Sequence, residues 1–268
     1  MALPPPSEAS TALITGASSG IGAAIARELA GRGYGAVLVA RREDRLGELA
    51  GELAGRHGVR METVAADLAT EGGRDQVIAA VSELGLEVEI LINNAGFGGF
   101  GTVHETAPER QAEMVRLNCE TLVYFQARFT PAMVGRRRGA VLNVGSTASF
   151  QPLPGSATYA ATKAFVLSLS DATHAELRPA GVTVTALCPG PVRTEFGQIA
   201  GAGSAEEMLP EPFWMSAEQV AKQAVDGLAK GKRVVVPGVL NRAGAIGGQH
   251  VPRSLMLPLV GRAFRRVF

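Results

Sequence analysis

Residues 15–22 read Thr15-Gly16-Ala17-Ser18-Ser19-Gly20-Ile21-Gly22, and this stretch decides how the chain folds. It follows a short apolar run over residues 11–15 and opens a segment in which Ile21, Ile25 and Leu29 recur every fourth residue, on one helix face. Glycines let backbone N–H groups approach a phosphate closely, and a helix N-terminus favours negative charge. A tight strand-to-helix turn without a ligand also uses glycines, but the order strand, glycine loop and helix predicts a dinucleotide site.

Outward from this loop, short apolar runs alternate with longer segments of helical period, which is typical of βαβ units. The predicted strands are residues 11–15, 36–40, 60–65, 90–93, 140–144, 182–187 and 233–236. The predicted helices after the first lie around residues 42–55, 73–84, 108–134, 157–177 and 217–231. Since several strands are almost wholly apolar, we expect both faces of the sheet to be covered. The pattern predicts a doubly wound (Rossmann) α/β domain with a parallel sheet of about seven strands flanked by helices.

Composition favours a single globular domain. Of 268 residues, 46% are hydrophobic and 19% charged, and we expect a domain over residues 11–238 between a flexible tail (1–10) and an extension (239–268). The net charge of +1 provides no basic excess for a nucleic acid partner.

The N-terminal segment lacks the features of a secretory signal, so we expect a cytoplasmic protein. Cys119 and Cys188 form no disulfide framework and the histidines lack metal-ligand spacing, so we expect no catalytic metal.

Tyr159 and Lys163 share one face of the helix predicted over residues 157–177, about one turn apart, so they can act on one site. A group that exchanges a proton with a carbonyl or alcohol works best when its pKa is near the working pH, and free tyrosine, at about 10, is too weak an acid. A nearby ammonium favours the tyrosinate, so we expect a desolvated pair of Lys163 and Tyr159, with the dinucleotide nearby, to lower the pKa of Tyr159. The same spacing also occurs on ordinary helix surfaces, so the pair alone does not decide the function.

Three further motifs follow the glycine loop in order: Asn93-Asn94-Ala95-Gly96, Tyr159-Ala160-Ala161-Thr162-Lys163 and Pro189-Gly190-Pro191-Val192-Arg193-Thr194. Together with the loop they resemble the short-chain dehydrogenase/reductase family, and the resemblance covers most of the chain. It implies an oxidoreductase acting on CH–OH groups, in which a nicotinamide carries a hydride to or from carbon while Tyr159 exchanges the proton.

The resemblance also implies roles for individual residues. Ser146 matches the family serine that polarises the substrate oxygen, and Asn118 matches the asparagine that supports a water relay to Lys163, which completes a tetrad with Tyr159. Asp67 matches the acid that binds the adenine amino group, although aspartate also favours helix N-caps. The implied cofactor-binding residues are Gly16, Ser18, Ser19, Gly20, Ile21, Gly22, Arg41, Arg42, Asp67, Leu68, Asn94, Ala95, Gly96, Tyr159, Lys163, Pro189, Gly190, Val192 and Thr194.

Arg41 and Arg42 follow the second predicted strand, where an NAD enzyme usually places a carboxylate on the ribose 2′-hydroxyl. A guanidinium instead holds a 2′-phosphate through charge-assisted hydrogen bonds, so the pair predicts NADP(H), with Arg41 the better candidate. The alternative is that both arginines only begin a solvated helix and pair with Glu43, Asp44 and Glu48.

Substrate choice in this fold depends on loops at the carboxyl ends of the strands, here residues 97–104, 150–158 and 195–215. They carry six large aromatic residues: Phe97, Phe100, Phe150, Phe196, Phe213 and Trp214. If these line a pocket, they favour a lipophilic ketone or aldehyde, or the corresponding secondary alcohol. The alternative is that most of them are local core anchors.

Residues 239–268 interleave apolar side chains with arginines and contain no acidic residue. The arginines are Arg242, Arg253, Arg262, Arg265 and Arg266. We favour an extension that packs on its own domain or on a second subunit over one that contacts a membrane surface. The family resemblance implies a homo-dimer or homo-tetramer, usually formed through the long helices that contain Asn118 and Tyr159.

Two alternatives to an NADP(H)-dependent enzyme remain open at this stage. One is a regulatory protein that keeps the fold and binds NADP(H) without turnover, against which the complete tetrad argues. The other is an NAD-preferring dehydrogenase, against which Arg41 argues. Titration with each cofactor distinguishes them.

Overall fold

A single parallel sheet forms the centre of the protein in a computed structural model that describes residues 3–201 and 210–264. Its strands are β1 (Ser10–Thr15), β2 (Ala36–Ala40), β3 (Met61–Ala65), β4 (Glu87–Asn93), β5 (Gly139–Val144), β6 (Val182–Leu187) and β7 (Val234–Val235). In the part of the chain described, the order is β3-β2-β1-β4-β5-β6-β7, and every pair is parallel. The predicted doubly wound α/β fold is confirmed.

Helices cover both faces of this sheet. They are α1 (Gly20–Ala30), α2 (Glu43–His57), α3 (Glu71–Glu83), α4 (Pro108–Val115), α5 (Thr121–Gly135), α6 (Ala157–Leu177), α7 (Phe196–Ala200), α8 (Ala217–Ala229), α9 (Val239–His250) and α10 (Arg253–Phe264). One buried cluster holds apolar residues of α1, α2 and α8, and a second holds those of α3 and α5 on the opposite face. Ile25 and Leu29 are fully buried, as their four-residue spacing predicts.

The helix predicted over residues 108–134 is interrupted in its middle. A π-helical segment, Arg116–Glu120, separates α4 from α5 and contains Asn118. Single π turns inside helices are frequent at functional sites, and apolar periodicity does not reveal them because the flanking helical faces continue on either side. The last strand is also shorter than predicted, since only Val234 and Val235 pair with β6.

The strand order reverses between β1 and β4, which lie side by side at the centre of the sheet. In open α/β sheets such a reversal leaves a crevice beyond the carboxyl ends of the strands, because the connections on either side diverge to opposite faces. The loops after β1, β4, β5 and β6 all open into this crevice. The topology therefore gathers the glycine loop and the tyrosine-lysine helix at one place.

The two ends of the chain differ in how they contact the domain. Leu3 packs against the core and Pro4 is buried, whereas residues 5–9 are exposed. Helix α9 contacts the short helix Thr147–Phe150, but α10 buries only Met256 among its described side chains. Residues 265–268, which include two arginines of the predicted basic extension, lie outside the described residues. Among those described, no helix is long and apolar enough to cross a membrane.

Candidate active site

A cavity of about 750 Å³ occupies the crevice. Its wall contains most of the predicted site residues: Gly16, Ser18, Ser19, Gly20, Ile21, Arg41, Arg42, Asp67, Leu68, Asn94, Ala95, Gly96, Ser146, Tyr159, Lys163, Pro189, Gly190, Val192 and Thr194. Two predicted residues, Gly22 and Asn118, are not in the wall. Motifs that are far apart in sequence thus share one space.

The glycine loop forms one end of the cavity. Gly16 and Gly20 have positive φ angles of 67° and 55°, which glycine adopts without strain. Helix α1 begins at Gly20 with no capping side chain and no acidic residue in its first turn. Its N-terminal backbone donors and the positive end of its dipole therefore remain suited to an anion.

Gly22 acts in packing rather than in the cavity wall. A Cβ atom there would lie 2.3 Å from the main-chain oxygen of Gly16 and 2.5 Å from Nδ2 of Asn94. Only glycine therefore allows α1 to approach the loop and the segment after β4 this closely.

The segment after β4 ties the centre of the sheet to the glycine loop. Asn94 Nδ2 donates to the main-chain oxygens of Thr15, at 2.9 Å, and Gly16, at 3.1 Å. The Thr15 hydroxyl accepts from the backbone N–H groups of Asn94 and Ala95, both at 3.0 Å. These bonds hold the floor of the cavity in place, since the amide nitrogen of Asn94 supplies two donors and the hydroxyl of Thr15 accepts two bonds.

The two arginines after β2 have different environments. Arg41 is exposed and, among the described residues, has neither a hydrogen bond nor an ion pair. Arg42 instead donates to the hydroxyls of Ser18 and Ser19 and forms an ion pair with Glu195, with 2.9 Å between Nη1 and Oε2. The alternative in which both arginines pair with acids of their own helix does not occur.

At the adenine end predicted from the sequence, Asp67 lines the cavity and its carboxylate accepts from the backbone N–H of Ala69 at 3.0 Å. It does not cap α3, because Thr70 performs that role through a bond from the N–H of Gly73. The cap alternative for Asp67 is therefore wrong in this structure.

Tyr159, Lys163 and Ser146 meet at the middle of the cavity. Ser146 lies just beyond β5 and caps the short helix Thr147–Phe150, accepting from the N–H of Ala148 at 3.1 Å. The ammonium of Lys163 lies 5.8 Å from the centre of the Tyr159 ring. The helix α6 spans Ala157–Leu177, as predicted, so its four-residue spacing aims both side chains at this point.

Burial dominates the electrostatics of this pair. Burial raises the pKa of Tyr159 to about 12, and a hydrogen bond with Ser146 offsets only part of this rise. Burial also lowers the pKa of Lys163 to about 8. Desolvation dominates here because it penalises both charged forms, and the lowering of the tyrosine pKa expected with the cofactor nearby stays a prediction.

Asn118 lies behind the cavity wall and is buried. Its amide donates to the main-chain oxygen of Phe97 and to the hydroxyl of Thr162, both at 3.0 Å, and its Oδ1 accepts from the N–H of Phe97. The π-helical segment turns this side chain toward the loop after β4. Its role in a water relay stays a prediction.

Three of the six predicted aromatic residues line the cavity: Phe100, Phe196 and Trp214. Phe97 is instead buried beneath the guanidinium of Arg110, 3.8 Å from its ring centre, as a core anchor. Of the predicted substrate loop over residues 195–215, residues 202–209 lie outside the described part of the chain.

The sequence reasoning missed Gln151, Leu153 and Ile199, which also line this end of the cavity. All three fall within the loops predicted to set substrate choice, but their residue types carry no motif. Gln151 and Leu153 lie between β5 and Tyr159, and this position was the sequence signal that could have marked them as lining residues. Among the described lining residues, the charged ones are Arg41, Arg42, Asp67 and Lys163.

No group of three or more histidine, cysteine, aspartate or glutamate side chains in the described residues is arranged to hold a metal ion. Cys119 and Cys188 are both free thiols. Cys188 is buried beside Ser149 and burial raises its pKa to about 12, which makes it a poor nucleophile.

Comparison with known proteins agrees with this geometry. Residues 10–204 match the family model described as short chain dehydrogenase. A short-chain dehydrogenase from Sphingobium yanoikuyae, solved in complex with NADPH, is 37% identical, with a TM-score of 0.81 and coverage of 92% of this chain and 95% of that one. The bulky-bulky ketone specific alcohol dehydrogenase from Comamonas testosteroni is 30% identical, with a TM-score of 0.76 and coverage of 98% and 96%.

Among curated proteins, the very-long-chain 3-oxoacyl-CoA reductase of Pyrenophora tritici-repentis is 34% identical over 224 residues. The match covers 82% of this chain but only 65% of that reductase. The chain therefore spans about two thirds of the length of the first curated relatives it matches.

Proposed function

This chain belongs to the short-chain dehydrogenase family, and on that premise we propose that it is an NADP(H)-dependent enzyme that reduces a lipophilic ketone or aldehyde, with Tyr159 as general acid. The family places it among oxidoreductases that interconvert a carbonyl and an alcohol. The observation that carries the proposal is that Ser146, Tyr159 and Lys163 share one cavity with the glycine loop.

The donor set of the cavity fits a phosphorylated dinucleotide. The uncapped start of α1 offers backbone donors for a pyrophosphate, and Arg41 and Arg42 offer guanidinium groups for a 2′-phosphate. Asp67, at the same end, would accept from an adenine amino group, and Lys163 would donate to ribose hydroxyls. When bound, the cofactor supplies the hydride.

The phenol of Tyr159 is the proton donor in the proposed reduction. With a pKa of about 12, it is protonated throughout the physiological range and donates a hydrogen bond to a carbonyl oxygen. Ser146 provides a second hydroxyl at the same oxygen. As negative charge develops there, these two preorganised donors stabilise it, and the proton then passes from Tyr159.

Lys163 is proposed to stabilise the tyrosinate that remains. Its pKa of about 8 leaves it mostly cationic at neutral pH, and its nitrogen is 5.8 Å from the tyrosine ring centre. Opposite charges at this distance in a water-poor site attract more strongly than they would in bulk water. The same pair, acting in reverse, returns the proton during alcohol oxidation.

The apolar end of the cavity supports a lipophilic substrate. Five apolar residues from the predicted substrate loops line the cavity: Phe100, Leu153, Phe196, Ile199 and Trp214. These loops contribute no charged residue to the described lining. Burial of apolar surface contributes roughly 25 cal/mol per Å². The Comamonas testosteroni relative, named for bulky ketones, is consistent with such a pocket.

A turnover assay tests the proposal. Loss of NADPH absorbance is followed with a series of ketones and aldehydes of increasing lipophilicity, and the Tyr159→Phe variant is the control. Turnover that rises with lipophilicity and disappears in the variant supports the proposal. Tight NADPH binding without turnover of any carbonyl, or of any alcohol with NADP, would instead favour a non-catalytic cofactor-binding protein.

A further inference from the structure

Arg42 connects two parts of the site that differ in function. Its Nε and Nη2 donate to the Ser18 hydroxyl at 3.2 and 3.1 Å, and Nη2 also donates to the Ser19 hydroxyl at 2.7 Å. Its remaining terminal nitrogen, Nη1, pairs with Glu195 at 2.9 Å. All three nitrogens of the guanidinium are therefore engaged within the protein.

Glu195 belongs to the predicted substrate loop over residues 195–215. It immediately precedes α7, whose first residue, Phe196, lines the cavity and has its ring centre 5.7 Å from that of Tyr159. The neighbouring Thr194 packs against Gly20 of the glycine loop. The Arg42–Glu195 pair thus links the segment beside the catalytic tyrosine to the loop expected to hold phosphate.

A carboxylate at this point opposes a bound phosphate in two ways. It repels the negative charge, and it occupies a nitrogen of the guanidinium that a bidentate phosphate contact requires. Arg41 has no such competitor, since it is exposed and has no ion pair among the described residues. The two arginines are therefore not equivalent, and only Arg42 must exchange one anion for another.

We propose that Glu195 is a specificity-determining residue that competes with the 2′-phosphate of NADP(H) for Arg42 and thereby couples the charge of the cofactor to the position of α7. This inference rests on the proposed NADP(H) function. A cofactor without the 2′-phosphate leaves the Arg42–Glu195 pair intact. One with the phosphate draws Arg42 from Glu195 and releases the link to α7.

The first test measures binding of two fragments, 2′,5′-ADP and 5′-AMP, by titration calorimetry, without substrate or turnover. Because an exposed ion pair contributes about 0.2–1 kcal/mol, Glu195→Gln is expected to tighten 2′,5′-ADP binding by about 1.4- to fivefold and to leave 5′-AMP binding unchanged. The matched control is Glu62→Gln, which removes the same charge from another ion pair, with Arg60, outside the cavity wall, and is expected to change neither affinity.

The second readout is the fluorescence of Trp214, the single tryptophan of the chain, which lines the cavity. Its segment is joined to the one before α7 by the bridge between Val192 and Met215. In the wild type, 2′,5′-ADP is expected to change the emission and 5′-AMP to leave it unchanged. In Glu195→Gln, emission of the free protein should already approach the 2′,5′-ADP value.

The outcomes separate the two proposals. Suppose that wild type binds 2′,5′-ADP more tightly than 5′-AMP, but that Glu195→Gln weakens the binding of 2′,5′-ADP or leaves it unchanged. Glu195 then does not compete with the phosphate, so the inference is overturned while the NADP(H) function stands. The inference also falls if the emission of Trp214 responds equally to both fragments. If the two fragments bind wild type equally, the NADP(H) proposal itself fails and the inference with it.

Discussion

The ammonium of Lys163 donates a hydrogen bond of 2.8 Å to the main-chain oxygen of Val144, the last residue of β5. This contact positions the lysine in the cavity wall, but a neutral carbonyl does not offset the loss of hydration on burial as a carboxylate would. The lysine pKa therefore falls to about 8. A buried cation of this kind makes both stability and activity depend on pH.

The first prediction concerns stability. An unfolded lysine keeps its proton up to about pH 10, whereas folded Lys163 releases it near pH 8, so the unfolded state binds more protons between these values. Its burial therefore costs stability below pH 8, and this cost disappears as pH rises. Relative to Lys163→Met, the wild type should gain about 2 kcal/mol of unfolding free energy between pH 8 and pH 10.

Denaturant unfolding of both proteins at the two pH values checks this, and the difference between them cancels the titration of other groups. If the unfolding free energy of the wild type fell relative to that of Lys163→Met as pH rises, the predicted direction of the effect would be wrong. Tyr159 contributes in the opposite direction only above about pH 10, because its pKa is raised to about 12 in the folded protein.

The second prediction concerns the proton donor. Tyr159→Phe should reduce kcat/KM for carbonyl reduction by at least about a hundredfold, which is the scale of a lost general acid, while NADPH affinity stays within about twofold. Ser146→Ala should produce a smaller loss, since one of two donors to the substrate oxygen remains. Steady-state rates and cofactor titration measure both effects. Tyr124→Phe, which removes a phenol from the protein surface, serves as the control.

These predictions rest partly on sequence and partly on features that sequence does not show. The strands and α6 were predictable because apolar runs and a four-residue period report directly on burial. The tyrosine pKa was not, since its direction depends on how deeply Tyr159 and Lys163 are enclosed by distant segments. The same holds for Arg42, whose partner Glu195 is far away in sequence. The π turn at Asn118 leaves no trace in apolar periodicity.

The third prediction concerns cofactor choice. Arg41→Ala should weaken NADPH binding by about tenfold or more, because a charge-assisted hydrogen bond contributes about 1.5–3 kcal/mol, and should leave NADH binding unchanged. Arg56→Ala, on the far turn of α2, removes the same charge at a distance and is the control. Titration by cofactor fluorescence measures both. Equal affinity of the wild type for NADPH and NADH would contradict the preference for the phosphorylated cofactor.

The fourth prediction concerns Gly96. A Cβ atom at this position would lie 2.7 Å from Oδ1 of Asn118. The asparagine cannot move aside without losing its bonds to Phe97 and Thr162. Gly96→Ala should therefore lower the unfolding free energy by about 1–3 kcal/mol. Gly51→Ala, in α2 where a Cβ meets nothing within 4 Å, should instead be neutral or stabilising, and thermal unfolding compares the two.

The last prediction concerns the charge of the substrate. Among the described residues that line the cavity from the predicted substrate loops, Gln151 is the only polar one, and none is charged. A carboxylate placed there would lose hydration without gaining an ionic partner. Of two ketones of similar size, the neutral one should therefore have a kcat/KM higher by about tenfold or more, which corresponds to about 1.4 kcal/mol.

Replacing the amide of Gln151 by an ammonium tests the cause. Gln151→Lys should narrow or reverse the preference for the neutral ketone, because the new cation pairs with the carboxylate in a cavity where solvent screening is weak. Gln76→Lys, on α3 and outside the cavity wall, adds the same charge and should leave the ratio unchanged. If the wild type already prefers the anionic ketone, the assignment of a lipophilic substrate is wrong.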